Sequence, residues 1–293
     1  MAGPTTTTSV LVITGGRDEH LARVIAGLER ATPRPDEVVV VFMNQPDGVV
    51  PATDLPVVTS HVDAPGTLPL AAARNRAARL AGGEVLVFLD VDCIPSAAAV
   101  GTLTETVRAH PGTLVMGTPR YLVPEWVQES GAATGLPDDD RLRELSVSHP
   151  ARAHLGEGPT DDWHLVWTLV LAVRSADLDR LGGFDEAFSG YGAEDTDIAF
   201  RARDAGLALR SSRATVFHQH HGVHRPPLHH FADILVNARR FLQVHGSWPM
   251  EGWLGQFRDL GLVDWDPEGD RLAVLRTPTD AEVEATRQPA AAF

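Results

Sequence analysis

The feature that most constrains the fold is a series of short aliphatic segments that alternate with helical patterns over the first third of the chain. Each segment is rich in Val, Ile or Leu and is followed by Gly, Pro or Asp, a pattern typical of buried strands. The predicted strands are Val10–Thr14, Glu37–Phe42, Val57–His61 and Val85–Leu89, and a helix is predicted over Leu70–Leu80. Strands that alternate with helices at this spacing predict an α/β fold with a doubly wound sheet. Because ligands bind beyond the carboxyl ends of strands in such sheets, the residues after Leu89 are the first candidates for a site.

The second half of the chain is less regular. From Pro119 to Asp162 it is rich in Pro, Gly and acidic residues and lacks a sustained period, which predicts an irregular insertion that acts as an acceptor lid. The later predicted elements are helices at Ser175–Leu181, Asp195–Ala205 and Leu228–Val244 and a strand at Ala214–His218. The tail beyond Pro278 is predicted to be frayed.

Charge and composition narrow the class of ligand. The 293 residues include 25 basic and 39 acidic side chains, and the net charge of 25 − 39 = −14 disfavours nucleic acid and anionic membranes as partners. All 25 basic residues are Arg, so lysine Schiff-base chemistry and the lysine of a phosphate-binding P-loop are excluded. The single cysteine, Cys93, cannot form an internal disulfide, and no apolar run approaches the ~20 residues of a membrane span. Since the N-terminus also lacks a basic signal-peptide region, we expect a cytoplasmic protein that acts on a small molecule.

The first candidate site is Asp90-Val91-Asp92, placed where an apolar strand ends. Alternate side chains of an extended segment point the same way, so the two carboxylates can share one divalent cation, and such a cation neutralises a diphosphate. Two solvated aspartates that open a turn before Pro95 would give the same pattern. The residues alone leave both interpretations open.

The second candidate is the acidic segment Glu194-Asp195-Thr196-Asp197, which opens a predicted helix after Gly190-Tyr191-Gly192. Capping of the helix and favourable charge at its dipole explain such a segment without any activity. The functional alternative is that one carboxylate faces the cleft as a general base for a hydroxyl. Because a helix N-terminus lowers a carboxylate pKa, that role requires close placement and partial desolvation.

The third candidate is a histidine-rich segment at and after the last predicted strand. It comprises His218, His220, His221, His224, His229 and His230, nearly half of the 13 histidines. Neutral imidazole is a common metal ligand, whereas an exposed turn is the alternative explanation. Since no CxxC or HExxH pattern supports a structural zinc site, a histidine that completes a site begun by the aspartates fits better.

Four motifs follow one another over roughly residues 10 to 225. They are Leu70-Ala71-Ala72-Ala73-Arg74-Asn75, Val87-Phe88-Leu89-Asp90-Val91-Asp92, Gly182-Gly183-Phe184-Asp185-Glu186 with Gly190-Tyr191-Gly192-Ala193-Glu194-Asp195, and Phe217-His218-Gln219. In this order they resemble the nucleotide-sugar glycosyltransferases of the GT-A fold, especially the family-two type and its bacterial chondroitin-polymerase and animal β-1,4-galactosyltransferase relatives. The resemblance implies a GT-A (Rossmann-like) doubly wound mixed sheet in one domain, with an irregular acceptor-side insertion and C-terminal helices.

The resemblance also implies a metal site. Asp92 matches the second carboxylate of the Asp-x-Asp motif, which binds Mn²⁺ or Mg²⁺, and His218 matches the third metal ligand of the polymerases. Ligands of the related galactosyltransferases sit three apart, so His221 is a competitor or helper, and the choice among His218, His220 and His221 stays open.

Roles at the donor and the acceptor are implied in the same way. Asp195 matches the catalytic base, with Glu194 close to the acceptor or donor sugar, and Arg74 matches an arginine that contacts the nucleotide or braces the metal carboxylates. The predicted nucleotide-sugar-binding residues are Thr14, Arg17, Asp63, Arg74, Asp90 and Val91. The predicted acceptor residues are Trp163, Trp167, Tyr191 and Gly192.

Two departures from the family pattern concern specificity. The second strand ends in Val41-Phe42-Met43-Asn44 where the family has paired aspartates that help to read uracil, so we expect Asp63 or backbone near Thr14 to hold the base. Thr196 stands where the galactosyltransferase pattern has an acid that touches the acceptor, which argues for a different acceptor.

The sequence therefore predicts a metal-dependent inverting glycosyltransferase that moves a hexose from a nucleotide diphosphate sugar, with a UDP-sugar favoured, to a hydroxyl of a carbohydrate or small-molecule acceptor. Its predicted parts are a disordered N-terminus (1–9), a nucleotide-sugar-binding half (10–118), an acceptor-binding and catalytic half (119–225), a C-terminal helical extension (226–278) and a tail (279–293). The alternatives are a sugar-phosphate nucleotidylyltransferase, which the lack of Lys disfavours, and a non-catalytic nucleotide-sugar-binding module, which would not need Asp195.

Overall fold

The computed structural model describes residues 6–126 and 135–291 and is organised around one mixed sheet. The strands are β1 (Thr8–Thr14), β2 (Glu37–Met43), β3 (Val57–Val62), β4 (Val85–Leu89), β5 (Cys93–Pro95), β6 (Thr113–Leu122), β7 (Ser146–Ser148), β8 (Gly158–Pro159), β9 (Val170–Arg174), β10 (Ala208–His218), β11 (Val223–His224), β12 (Val263–Trp265), β13 (Leu272–Val274) and β14 (Arg287–Gln288). The helices are α1 (Asp18–Glu29), α2 (Leu70–Leu80), α3 (Ala99–Ala109), α4 (Asp139–Glu144), α5 (Ser175–Leu181), α6 (Glu194–Asp204), α7 (Phe231–His245), α8 (Glu251–Asp259) and α9 (Asp280–Ala285).

The strand order of the main sheet is β3-β2-β1-β4-β9-β6-β10-β5. The first four strands run parallel to one another, β9 runs antiparallel to both β4 and β6, and β10 is again parallel to β6. The predicted doubly wound mixed sheet is thus confirmed. The predicted α2 and β4 agree with the structure at both ends, whereas β10 begins six residues earlier than predicted.

Side chains of the central strands alternate between the two faces of the sheet. Val10 and Val12 of β1 belong to the apolar cluster that includes α1 and α3, whereas Leu11 and Ile13 belong to the cluster that includes α2 and α6. A strand covered by helices on both faces has no polar face, which explains why these segments read as continuous aliphatic runs.

The chain reverses directly after β4, and this reversal positions the predicted metal residues. Beyond Asp90-Val91-Asp92 the short strand β5 pairs antiparallel with the end of β10, so that Cys93 lies opposite His218. The backbone N–H of Gln219 donates to the carbonyl of Asp92 at 2.6 Å. Two segments more than 100 residues apart in sequence are thereby joined at the carboxyl ends of the strands.

The predicted irregular insertion has more secondary structure than its sequence pattern indicates. Strand β6 continues to Leu122, β7 pairs with it, and β8 pairs with β10. Trp126 and Leu142 of α4 are buried against Phe217 and close this edge of the sheet. Residues 127–134 of the insertion lie outside the described residues.

The C-terminal extension has an apolar cluster of its own. Ile234 and Leu235 of α7, Leu254 and Phe257 of α8 and Val263 of β12 are all buried in this cluster. Tyr191 and Met250 pack at its border, so the extension lies against the glycine-rich segment that precedes α6. Among the described residues, no helix is both long and apolar enough to cross a membrane.

Both predicted disordered ends need correction. Strand β1 begins at Thr8, and Thr8 and Ser9 are buried, so the predicted disorder of 1–9 is wrong for these residues, while 1–5 lie outside the described part. The tail is also ordered through residue 291, because α9 carries a capping box and β14 pairs with β11. Short polar elements of this kind lack the periodic pattern of apolar residues that predicts a helix or a strand. They are recognised only from the cap of the helix and from the strand that pairs with them.

The capping box of α9 provides a test of this order. The Thr279 side chain accepts from the Glu282 N–H at 3.3 Å, and Glu282 in turn accepts from the Thr279 N–H at 2.8 Å. We expect Thr279→Ala to cost about 1 kcal/mol locally, which raises amide hydrogen exchange of 280–288 about fivefold. Hydrogen-exchange mass spectrometry checks this, with Thr277→Ala at an exposed, non-capping position as the control. Fast, equal exchange of this segment in all three proteins would show that the tail is frayed.

Candidate active site

Asp92, His218 and His221 form a potential metal site. Each offers one ligand atom, and the three atoms lie within 4.8 Å of one another. His221 Nε2 is 3.6 Å from Asp92 Oδ2. Asp92 Oδ1 and His218 Nδ1 are buried and have no hydrogen-bond partner among the described residues, which is costly unless a ligand satisfies them. His220 is not part of this group, so the geometry selects two of the three candidate histidines.

The protonation states of these residues suit a cation. Burial opposes ionisation of Asp92, but Arg17 and the neighbouring histidines outweigh it and hold the pKa of this carboxyl below its usual range. Burial lowers the pKa of His218 to about 4. At neutral pH the site therefore presents an ionised carboxylate and a neutral imidazole, the forms that ligate metals.

Arg74 connects the two acidic motifs. It lies on α2, is 5% exposed, and donates from Nη1 to Glu194 Oε1 at 2.8 Å and from Nη2 to Asp90 Oδ1 at 3.4 Å. Burial, followed by Asp92 and Glu194, raises the pKa of Asp90 to about 6 although Arg74 opposes the shift. Of the two roles that the resemblance implies for Arg74, the contacts match bracing of the carboxylates.

Asn75, the next residue, joins two of the sequence motifs. Its side chain accepts from the Phe184 N–H and donates to the Phe184 carbonyl, both at 2.8 Å. Gly183 has a φ of +74°, and a Cβ at this position would lie 2.6 Å from Asn75 Oδ1. The Arg74-Asn75 and Gly182-Gly183-Phe184 segments, which belong to two different sequence motifs, therefore contact each other.

Asp195 has the electrostatic properties of a base. It is half-buried at the start of α6, and its carboxylate accepts from the Thr196 N–H at 2.8 Å. Burial and the charge of Glu194 raise the pKa of Asp195 to about 7, against the opposing effects of Arg74 and the hydrogen bond. Desolvation thus outweighs the lowering that a helix N-terminus produces, as the catalytic interpretation required.

Asp197 has a different environment. It is fully buried, accepts from Arg201 Nε at 2.8 Å and lies 2.9 Å from His245 Nε2. Arg201 also donates to the carbonyls of Leu181 and Gly183. These contacts tie α6 to α7 and to the Gly-Gly turn, which is a structural role.

The Gly190-Tyr191-Gly192 segment is shaped by α7. Gly190 and Gly192 have φ values of +77° and +98°, and a Cβ would lie 2.3 Å from Asp233 at the first and 2.8 Å from Met250 at the second. Asn237 of α7 donates to the carbonyls of Tyr191 and Gly192. The Tyr191 ring stacks on His230, with 4.3 Å between the ring centroids. The side chain of Tyr191, like its backbone, therefore contacts the C-terminal extension.

The predicted nucleotide-binding residues lie at the ends of neighbouring strands. Thr14, at the end of β1, is 1% exposed, and its hydroxyl has no hydrogen-bond partner among the described residues. Asp63 follows β3 and is exposed, whereas Val91 is buried. Asn44, which replaces a family aspartate, uses its side chain within the adjacent loop, where it donates to Thr67 and accepts from Ala64.

The predicted acceptor aromatics divide into two environments. Trp163 is 8% exposed and packs in the core. Trp167 is half-buried, and the Arg152 guanidinium lies 4.2 Å from its ring centroid.

The sequence analysis missed Tyr121 and Arg152. The Tyr121 ring lies 4.9 Å from that of His218, and Arg152 donates to the carbonyls of Gly117 and Leu165. Both belong to the insertion, where no period or motif marked them.

The fold and the site define an α/β protein of the GT-A type, and comparisons with known proteins confirm the resemblance. Residues 9–134 match the glycosyl transferase family 2, and residues 157–225 match the N-terminal domain of galactosyltransferase. These two regions contain all four motifs. The chain is thus similar to the family-two glycosyltransferases over residues 9–134 and to the galactosyltransferases over residues 157–225.

Individual relatives agree with this assignment. Validoxylamine A glucosyltransferase from Streptomyces hygroscopicus subsp. limoneus is 29% identical over 270 residues, which cover 82% of this chain and 57% of that protein. A protein of the same name from subsp. jinggangensis is 29% identical over 200 residues and covers 61% of this chain and 45% of its own length. The chain therefore spans about half the length of these relatives.

Solved structures share the fold at low sequence identity. Crystal structures of GalNAc-T7 with UDP, GalNAc and Mn²⁺ and of S. aureus TarS 1-349 in complex with UDP both have a TM-score of 0.52, at 15% and 17% identity. The first covers 73% of this chain and 43% of its own, and the second covers 80% and 65%. The predicted GT-A fold is confirmed.

The buried contacts of Arg74 lead to a stability prediction. We expect Arg74→Met to lower the free energy of unfolding by about 3–5 kcal/mol at pH 8, because it leaves Glu194 and Asp90 without a compensating charge. The folded-state pKa of Asp90 already lies above its unfolded value, and loss of Arg74 would raise it further, so the penalty grows as pH rises and is smaller at pH 5.5. Urea unfolding at both pH values measures this. Arg76→Met, on the exposed face of the same helix, is the control, and equal effects of the two variants would contradict the prediction.

Proposed function

We propose that this chain is a metal-dependent inverting glycosyltransferase that transfers a hexose from a nucleoside diphosphate sugar to an acceptor hydroxyl, with Asp195 as the general base. The observation that carries the proposal is the Arg74 bridge between Asp90 and Glu194. This bridge holds the Asp-x-Asp turn, which contains the candidate metal ligand Asp92, close to the candidate base. A binding module would have no use for a partly desolvated carboxylate in that position.

Asp92, His218 and His221 would hold the metal. When bound, a divalent ion there supplies electrostatic stabilisation of the departing diphosphate. One carboxylate and two imidazoles suit Mn²⁺ better than Mg²⁺, since Mg²⁺ prefers oxygen ligands and imidazole suits transition metals. We therefore propose Mn²⁺ as the preferred ion.

The protein's own groups account for proton transfer. At pH above about 7 the carboxylate of Asp195 is ionised and can accept the proton of an acceptor hydroxyl as that oxygen forms its bond to the anomeric carbon. The nucleoside diphosphate leaves from the opposite face, which inverts the configuration. Glu194 stays paired with Arg74, so its proposed role is to raise the pKa of Asp195.

The names of the relatives guide the choice of substrates. A glucosyltransferase and two structures with UDP support a UDP-hexose donor, with glucose as the first sugar to examine. The name validoxylamine A glucosyltransferase adds validoxylamine A to the acceptors to test. Trp167 and Tyr191 are the proposed acceptor-side aromatics, because both are partly exposed next to the insertion and the extension.

Calorimetric titration with UDP, GDP and dTDP, each with and without Mn²⁺, tests the donor class. We expect UDP to bind and the binding to weaken at least about tenfold in chelator, since Mn²⁺ links the diphosphate to the protein. Asp92→Ala and His221→Ala should remove this dependence on Mn²⁺, whereas His220→Ala, the matched neighbour outside the group, should keep it. Absence of binding by any nucleotide under both conditions would refute the proposal.

Replacement of Asp195 tests the base. We expect Asp195→Asn to lower the transfer rate by about 10²–10⁴ while nucleotide affinity is unchanged, because the amide cannot accept the proton. In the unmodified enzyme kcat/KM should fall as pH drops below about 7, where the carboxyl becomes protonated, and the residual rate of the variant should lack this dependence. Asp204→Asn, at the exposed end of the same helix, is the control. Product analysis by mass spectrometry separates sugar transfer from nucleotidyl transfer, and undiminished transfer by Asp195→Asn would refute the base assignment.

A further inference from the structure

Arg17 contacts Asp92, the carboxylate that would also hold the proposed cation. The Arg17 guanidinium contacts Asp92 Oδ2, the same oxygen that lies 3.6 Å from His221 Nε2. The Arg17 side chain is nevertheless 38% exposed. On the basis of the proposed function, we propose that Arg17 exchanges Asp92 for the diphosphate of the nucleotide when the cation binds, and so couples cation binding to nucleotide binding.

Gln45 contacts the residues on both sides of Arg17, and the proposed exchange involves the Arg17 side chain alone. Gln45 Oε1 accepts from the Gly16 N–H at 2.8 Å, and Gln45 Nε2 donates to Asp18 Oδ1 at 2.9 Å. A Cβ on Gly15 would lie 2.9 Å from the Met43 carbonyl, which shows how closely this loop approaches β2. The loop therefore places the long Arg17 side chain at the carboxyl end of β1.

The local charges explain why the exchange would require the nucleotide. Arg17 (+1) and Asp92 (−1) sum to zero, and addition of a divalent ion brings the sum to +2. In this partly desolvated place the ion and the guanidinium repel each other. A diphosphate carries at least one negative charge per phosphate, so it compensates the excess, and guanidinium pairs with phosphate oxygens in bidentate geometry. Each ligand thus removes the cost of binding the other.

The alternative is that Arg17 forms a surface ion pair with no further role. The two cases differ in a measurable quantity, the factor by which UDP changes the affinity for Mn²⁺. Linkage makes this factor equal to the one by which Mn²⁺ changes the affinity for UDP. A passive ion pair at Asp92 would leave the factor unchanged when Arg17 is removed.

The first experiment measures Mn²⁺ binding by electron paramagnetic resonance of free Mn²⁺, with and without UDP, in the unmodified protein, Arg17→Gln and Arg34→Gln. Arg34 is a matched control, since it forms an exposed ion pair with Asp54 at 2.8 Å. We expect Arg17→Gln to bind Mn²⁺ alone about tenfold more tightly and to lose about tenfold of the coupling factor, with Arg34→Gln unchanged. An unchanged affinity for Mn²⁺ alone together with an unchanged coupling factor in Arg17→Gln overturns the inference.

The second experiment measures UDP binding in the absence of metal. In chelator, Asp92→Asn should bind UDP more tightly than the unmodified protein, because Arg17 is released from Asp92, and Arg17→Gln should bind it more weakly. The double variant distinguishes this release from a general loss of negative charge, since the gain from Asp92→Asn should disappear in the Arg17→Gln background. An equal gain in both backgrounds overturns the inference but leaves the proposed function intact. Absence of UDP binding by the unmodified protein, with and without Mn²⁺, overturns both.

Discussion

The buried guanidinium of Arg74 is the interaction on which the candidate site depends. Asp90, Glu194 and Asp195 come from two distant segments and gather at the carboxyl ends of the strands, where their mutual repulsion would otherwise force them apart. Arg74 compensates part of this charge, while burial and then the remaining carboxylate repulsion raise the pKa of Asp90 and Asp195. Arg suits the role better than Lys because its planar fork can bond two carboxylates at once.

The geometry of the candidate metal site has a separate origin in the backbone. The turn after β4 reverses the chain so that β5 returns along β10, and the ladder that pairs Cys93 with His218 also places Asp92 beside Gln219. His221 reaches Asp92 Oδ2 from the loop that follows. The ligands are thus set by strand register, and the acidic cluster is set by a side-chain bridge.

Local patterns in the sequence predicted the parts of the structure that depend on local physics. The aliphatic run Val85–Leu89 and the aspartates after it identified the strand and its functional end, because burial on both faces leaves a continuous apolar signature. The contacts of Arg17, Tyr121 and Asn237 have no such signature, since each reaches a partner that only the folded topology brings near. The burial of Trp163 has no such signature either, as composition does not distinguish a core aromatic from one that lines a cleft.

The two arginines at the site differ in exposure, and this difference follows from their surroundings. Arg74 projects from a helix packed through small alanine side chains, is 5% exposed and has carboxylate partners on both nitrogens, so its charge is a permanent part of the fold. Arg17 projects from a glycine loop, and its side chain is 38% exposed. In the proposed reaction the site holds a diphosphate leaving group in one step and releases it in the next, and the two arginines would divide this task. Arg74 would preserve the arrangement of the carboxylates, and Arg17 would move between Asp92 and the diphosphate.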